Sequence, residues 1–201
     1  MNALSPCLLL VLTSVVDNVS SDMRCNKRIR NSDLRPATLD HHKLTGRWYK
    51  WMDTTSSTPH STYLDSILLR NGTSIKTLHE WLPDSRECRI KTVIHNPVSF
   101  TTSAAETSVM FQVSRMATNE TLGMMTVLYF CDDPMEGILI MLRQKLSGEL
   151  AYLVYTRKKD PIPLYHGVRT ALQALSLNPK DFKIKSRDYG CEQKGKRRIK
   201  L

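Results

Sequence analysis

Beyond its first twenty or so residues the chain lacks any apolar run long enough to span a bilayer. Its richest later stretch, residues 137–142, is broken by Arg143 and Lys145, whereas a spanning helix needs about 20 apolar residues. Zinc-binding patterns are missing as well. His41, His42, His60, His79, His95 and His166 are scattered, with no HExxH helix and no paired CxxC, so neither a metal nor another cofactor is expected. There is no Gly-X-Ser-X-Gly elbow, and Gly72-Thr73-Ser74 falls in a turn rather than at a helix start, which argues against a serine hydrolase of that type. Basic residues are not interleaved with stacking aromatics, so nucleic acid is not an expected partner. No repeat, low-complexity tract or linker interrupts residues 44–191, and helical periodicity is absent from Leu44 to Tyr155, which leaves one domain of mostly β structure.

Acids are also scarce. Nineteen Asp and Glu stand against 29 Lys and Arg, a formal net charge of +10. Residues 1–21 read as a signal peptide, with an apolar stretch at 7–16 and the small residues Val19, Ser20 and Ser21 at a cleavage position. Residues 22–43 are polar and aperiodic and read as an extended arm, with order beginning near Leu44, and residues 192–201 read as a basic flexible tail. The summed charge of these ends admits a lipoprotein surface, anionic lipid or a heparin-like glycan as a partner, through salt-sensitive attraction. Once Cys7 leaves with the signal peptide, Cys25, Cys88, Cys131 and Cys191 remain for an oxidising, extracellular compartment, and counting alone allows three pairings. Asn71-Gly72-Thr73 and Asn119-Glu120-Thr121 are acceptor sequons in turn-like segments, making Asn71 and Asn119 the candidate glycan sites.

Eight short β-rich runs follow one another at 46–52, 62–70, 74–82, 88–95, 107–115, 122–131, 137–143 and 150–155, separated by turn formers such as Asn71-Gly72, Pro83-Asp84 and Ser147-Gly148. Val109, Phe111 and Val113 alternate with Ser108, Met110 and Gln112, so one strand face is meant for a core. An eight-stranded antiparallel up-and-down meander closes into a barrel that fills with side chains or holds one small ligand, and closure removes sticky edges. A two-sheet sandwich is the competing architecture. Val168, Ala171, Leu172 and Leu175 then fall at helical spacing, Asn178-Pro179 ends that run, and residues 182–185 read as a last short strand.

Leu44-Thr45-Gly46-Arg47-Trp48-Tyr49 resembles the Gly-X-Trp motif that opens the first strand of lipocalins. The order of arm, eight strands, helix and short strand extends the resemblance over nearly all the mature chain. Glu87-Cys88-Arg89-Ile90 and Asp188-Tyr189-Gly190-Cys191-Glu192 look most like the orosomucoid and apolipoprotein M group. The resemblance implies a Cys88–Cys191 bridge from the C-terminal segment to the barrel wall, and Arg157 lying over Trp48 as a structural closure beside Gly46. The group's second cysteine, in the helix, has no counterpart here, so Cys25 and Cys131 either bridge each other or leave a thiol free.

These features lead to an expected monomeric carrier, not an enzyme, that encloses a small hydrophobic or amphipathic ligand such as a lipid, a retinoid-like molecule or a drug-like compound. Trp51, His79, Trp81, Phe111 and Tyr129 are the candidate lining residues, chosen because strand aromatics supply contact area at little entropy cost. A surface-interaction protein working through its basic tail is a second expectation. A thiol-dependent enzyme, similar to the prostaglandin D synthase type of lipocalin, comes last. It would need Cys131, because strands 62–70 and 74–82 hold no cysteine.

Overall fold

The computed structural model describes residues 25, 34–36, 38–55, 60–98 and 109–192. The expected signal peptide, the basic segment around residue 28, most of the tail and residues 107–108 of the fifth run lie outside them. Eight strands form in the expected order: β1 (Gly46–Asp53), β2 (Thr62–Leu68), β3 (Ser74–Leu82), β4 (Glu87–Pro97), β5 (Met110–Arg115), β6 (Thr121–Cys131), β7 (Ile138–Lys145) and β8 (Leu150–Thr156). Each pairs antiparallel with the next, and β1 pairs with both β2 and β8, so the sheet closes on itself and the sandwich is excluded. Helix α1 (Tyr165–Ala174) and the two-residue strand β9 (Lys183–Ile184) follow.

Alternation sorts the side chains into two cores. Inside the barrel, Leu44, Trp48, Leu64, Phe111, Val113, Met125, Val127, Phe130, Leu139, Met141 and Leu153 pack together. Outside it, Val168, Ala171, Leu172 and Leu175 of the α1 segment cover Trp51, Tyr129, Ile138, Ile140 and Val154. An amphipathic helix has to bury its apolar stripe, and a closed barrel offers only its outer wall. The helix stops where Ser176 takes a left-handed φ of 60° and the Leu177 N–H turns back to the Leu172 carbonyl at 2.8 Å.

Three bulges break strict alternation, in β1 between Lys50 and Met52, in β6 at Leu122 opposite Val113 and Ser114 of β5, and again in β6 between Val127 and Tyr129. Each extra residue shifts which face the following side chains take. The N-terminal arm departs from expectation. Cys25 is bonded to Cys131, Leu34 bridges to Tyr129, Leu39 and His41 are buried, and His41–Leu44 form a short 3-10 turn. Order therefore begins before Leu44, because the disulfide and the apolar contacts of Leu34 and Leu39 dock the arm on the barrel.

Candidate functional site

One end of the barrel is sealed. Gly46 enters β1 at φ 83°, and a Cβ there would crowd the Arg157 guanidinium at 3.3 Å. That guanidinium lies 3.8 Å from the Trp48 ring centroid and donates to the Arg47 and Lys43 carbonyls at 3.0 and 2.9 Å. Trp48 is 1% exposed and donates its indole N–H to the Leu44 carbonyl at 3.1 Å. Phe130 sits beside it with ring centroids 6.3 Å apart, and Phe111 belongs to the same interior core, its ring against those of His41 and His95. The contact of Arg157 with Trp48 is thus structural, a cation–π closure of a kind typically worth ~0.5–2 kcal/mol.

Above this plug the barrel is hollow. The cavity holds about 330 Å3 and is walled by Leu64, Leu78, Val93, Val113, Leu122, Gly123, Met124, Met125, Met141, Leu153 and Tyr155, together with Lys50, Lys76, Lys91, His95, Arg143 and Lys145. Its size falls at the small end of the roughly 300–1,000 Å3 typical of small-molecule sites, which suits one compact guest. Five of the lining residues are cationic and none is acidic.

Those cations are not equivalent. Lys50 is held by the buried Asp53 at 2.8 Å, and Lys185 reaches the same carboxylate at 3.0 Å. Burial pushes the Asp53 pKa up, but the Lys50 and Lys185 ammonium groups and Thr55 outweigh it and leave it below its ordinary value. Lys145 is answered by Glu149 at 2.6 Å. Lys76 is different: it is 3% exposed, and among the described residues no carboxylate pairs with it. Desolvation alone lowers its pKa to about 8, so it is still mostly charged at neutral pH. Its neighbour His95 is 2% exposed, and burial followed by the Lys76 charge holds its pKa well below the ordinary value, leaving a neutral imidazole. Burial likewise raises the pKa of Tyr155 and keeps its phenol protonated.

The five sequence-nominated lining residues do not meet here. Phe111 points inward but belongs to the plug beneath the cavity, with its ring 5.1 Å from that of His41. The other four stand on the outer wall. Trp51 and Tyr129 lie under α1 and the arm. His79 stacks on Tyr63 at 4.5 Å, near Asp65. Trp81 packs against Gly190 and donates to Asp188 at 3.0 Å.

His79 and Trp81 instead serve a clasp. The bridge Cys88–Cys191 is formed, Tyr189 sits edge-on to Tyr49 at 5.0 Å, and Glu192 accepts from Tyr49 at 2.8 Å and from Lys159 at 2.6 Å. These contacts fasten the C-terminal segment to the outer face of β1 to β4. Asn71 and Asn119 are exposed in the β2–β3 and β5–β6 turns. Among the described residues no three His, Cys, Asp or Glu side chains converge to hold a metal ion, and no helix is long and apolar enough to cross a membrane.

No family model matches the sequence, and no curated protein is detectably similar to it. Among solved structures the chain is similar to the major allergen Per a 4 from cockroaches, with 18% identity over 83% of this chain and 97% of that one and a TM-score of 0.57. It also matches the siderocalin Ex-FABP at 10% identity, covering 71% of this chain and 93% of that one, with a TM-score of 0.48. The likeness to the allergen is one of fold, the closed eight-stranded barrel of lipocalin type with a helix near its C-terminus.

Proposed function

We propose that the chain is a secreted lipocalin that carries one small hydrophobic or amphipathic molecule inside its barrel. The observation that carries this reading is a closed, one-end-sealed barrel with a mostly apolar hollow of about 330 Å3 above Trp48. Burial supplies the affinity. A guest that loses on the order of 300 Å2 of apolar surface to the cavity gains about 7 kcal/mol before the costs of association.

Two formed disulfides support an oxidising, extracellular setting. The Cys88–Cys191 clasp supports a place near the orosomucoid and apolipoprotein M group, whose resemblance implies that bridge. Cys131, the thiol an enzymatic reading needs, is bonded to Cys25 at 2.04 Å and is no nucleophile in this state. Native mass spectrometry of the protein purified from its own source is the test. One organic molecule per chain, released by solvent, is the expected result. An unliganded mass, together with no saturable change in tryptophan fluorescence across a panel of lipids and steroids, would end the proposal.

A further inference from the structure

We propose that the cavity receives its guest head-first: an anionic single-chain amphiphile, its carboxylate or sulfate seated on Lys76, Ser66 and His95, with its tail toward the mouth. This deepens the carrier reading and rests on it. A buried ammonium without a counter-ion is costly, and a fold gains nothing from keeping one unless an anion arrives to meet it. Lys76 is such a group, and its Nζ lies 5.8 Å from the centroid of the Phe111 ring, with its charge felt by His95.

Two partnerless polar atoms flank it. Ser66 lies directly across from Lys76 in the β2–β3 register, 2% exposed, and its Oγ has no hydrogen-bond partner. His95 is on the adjoining strand, and its Nδ1 also has none. An ammonium, a hydroxyl and a neutral imidazole can together donate three hydrogen bonds to one oxyanion, and in a dry site such charge-assisted bonds are strong.

The rest of the wall dictates orientation. Leu78 and Leu153 line the cavity beyond Lys76, with Val93 directly across from it in the β3–β4 register, and suit a hydrocarbon tail. Lys91 is exposed and Lys145 is already paired, so these outer cations are hydrated and hold an anion weakly. Arg143, on β7 across the barrel, is the one rival, because its Nε is buried without a partner. It is only half-buried, and no second orphaned donor of the kind Lys76 has lies beside it in the strand register.

The experiment is displacement of the neutral dye N-phenylnaphthylamine from the delipidated full chain at neutral pH by dodecanoate, dodecyl sulfate and dodecanol. The wild type should bind both anions roughly tenfold or more tightly than the alcohol. Lys76→Met and Lys76→Gln should erase that preference while dye and dodecanol affinities stay within about threefold, which also shows that each variant is folded. Lys91→Met and Arg143→Met should keep it. Equal affinity for anion and alcohol in the wild type overturns the head-group inference and leaves carriage standing, as does loss of the preference in Lys91→Met or Arg143→Met with its retention in Lys76→Met. If neither the dye nor any of the three amphiphiles saturates the wild type, it is the carrier reading that has failed.

Discussion

Replacing Lys76 by methionine should make the empty protein more stable, although most substitutions of a buried residue do the opposite. The ammonium is desolvated in the fold, which moves its pKa from the ordinary 10.5 to about 8, whereas the unfolded chain holds the proton with ordinary affinity. At ~1.4 kcal/mol per pKa unit, the charged form costs the fold about 3 kcal/mol at neutral pH. Methionine keeps the unbranched apolar stem, one atom shorter, and the distant contact of the ammonium with Phe111 is lost. A net gain of about 2 to 3 kcal/mol is expected, roughly 5–10 °C in melting temperature for a domain of this size. The pH dependence fixes the sign. Between pH 8 and 10.5 the unfolded chain binds more protons at this position than the native one, so the wild type regains stability as pH rises through that window. The advantage of Lys76→Met is therefore full below pH 8 and fades toward 10.5. Urea denaturation of delipidated protein, followed by tryptophan fluorescence at neutral pH and near pH 10, measures both. A variant that is neutral or destabilised at neutral pH, or whose advantage does not shrink in alkali, would refute the reasoning.

Other perturbations separate the closure and the clasp from the cavity. Arg157→Ala removes the contact with the Trp48 ring and two hydrogen bonds to the Arg47 and Lys43 carbonyls; a loss of roughly 2–3 kcal/mol in urea stability is expected, and an unchanged midpoint would show that the guanidinium is ornamental. Changing Cys88 and Cys191 together to serine opens a cross-link spanning 103 residues and should cost ~2–4 kcal/mol. Because that bridge lies on the outer wall, dye affinity should stay within about threefold. A large drop would mean that the clasp shapes the cavity.

The strand succession, the helix and the Trp48 closure were legible because each leaves a local signal: period-two alternation, helical spacing, or a Gly and an aromatic two residues apart. The facing of individual side chains was legible only in part. Strict alternation from Trp48 sends Lys50 inward and Trp51 outward, so ranking strand residues by aromatic area rather than by parity misplaces Trp51. His79 and Trp81 follow the same logic once Cys88 is seen to bridge a segment outside the barrel, since Trp81 is its cross-strand partner and His79 is two residues away on the same face.

Tyr129 is a different kind of miss. Counting from the inward Val127 by twos puts it in the core, and only the β6 bulge turns it outward in favour of Phe130. The cationic cavity was missed because a lysine on a strand defaults to the solvent face, and β3 carries apolar side chains on both faces, Leu78 and Leu82 on one and Ile75 and Trp81 on the other, so nothing local says that the face shared by Lys76 and Leu78 is the inward one. The Cys25–Cys131 bridge and the docked arm depend on tertiary proximity, which four cysteines can reach in three ways.

Whether the hollow takes a guest is decided most directly by titrating N-phenylnaphthylamine into three delipidated proteins: wild type, Val113→Trp, which fills the cavity, and Trp81→Ala, which removes an aromatic from the outer wall. Saturation at one dye per chain in the wild type and Trp81→Ala, and its loss in a folded Val113→Trp, is the predicted result. Binding that survives in Val113→Trp, or vanishes in a folded Trp81→Ala, would place the dye on the outside of the barrel and contradict the account.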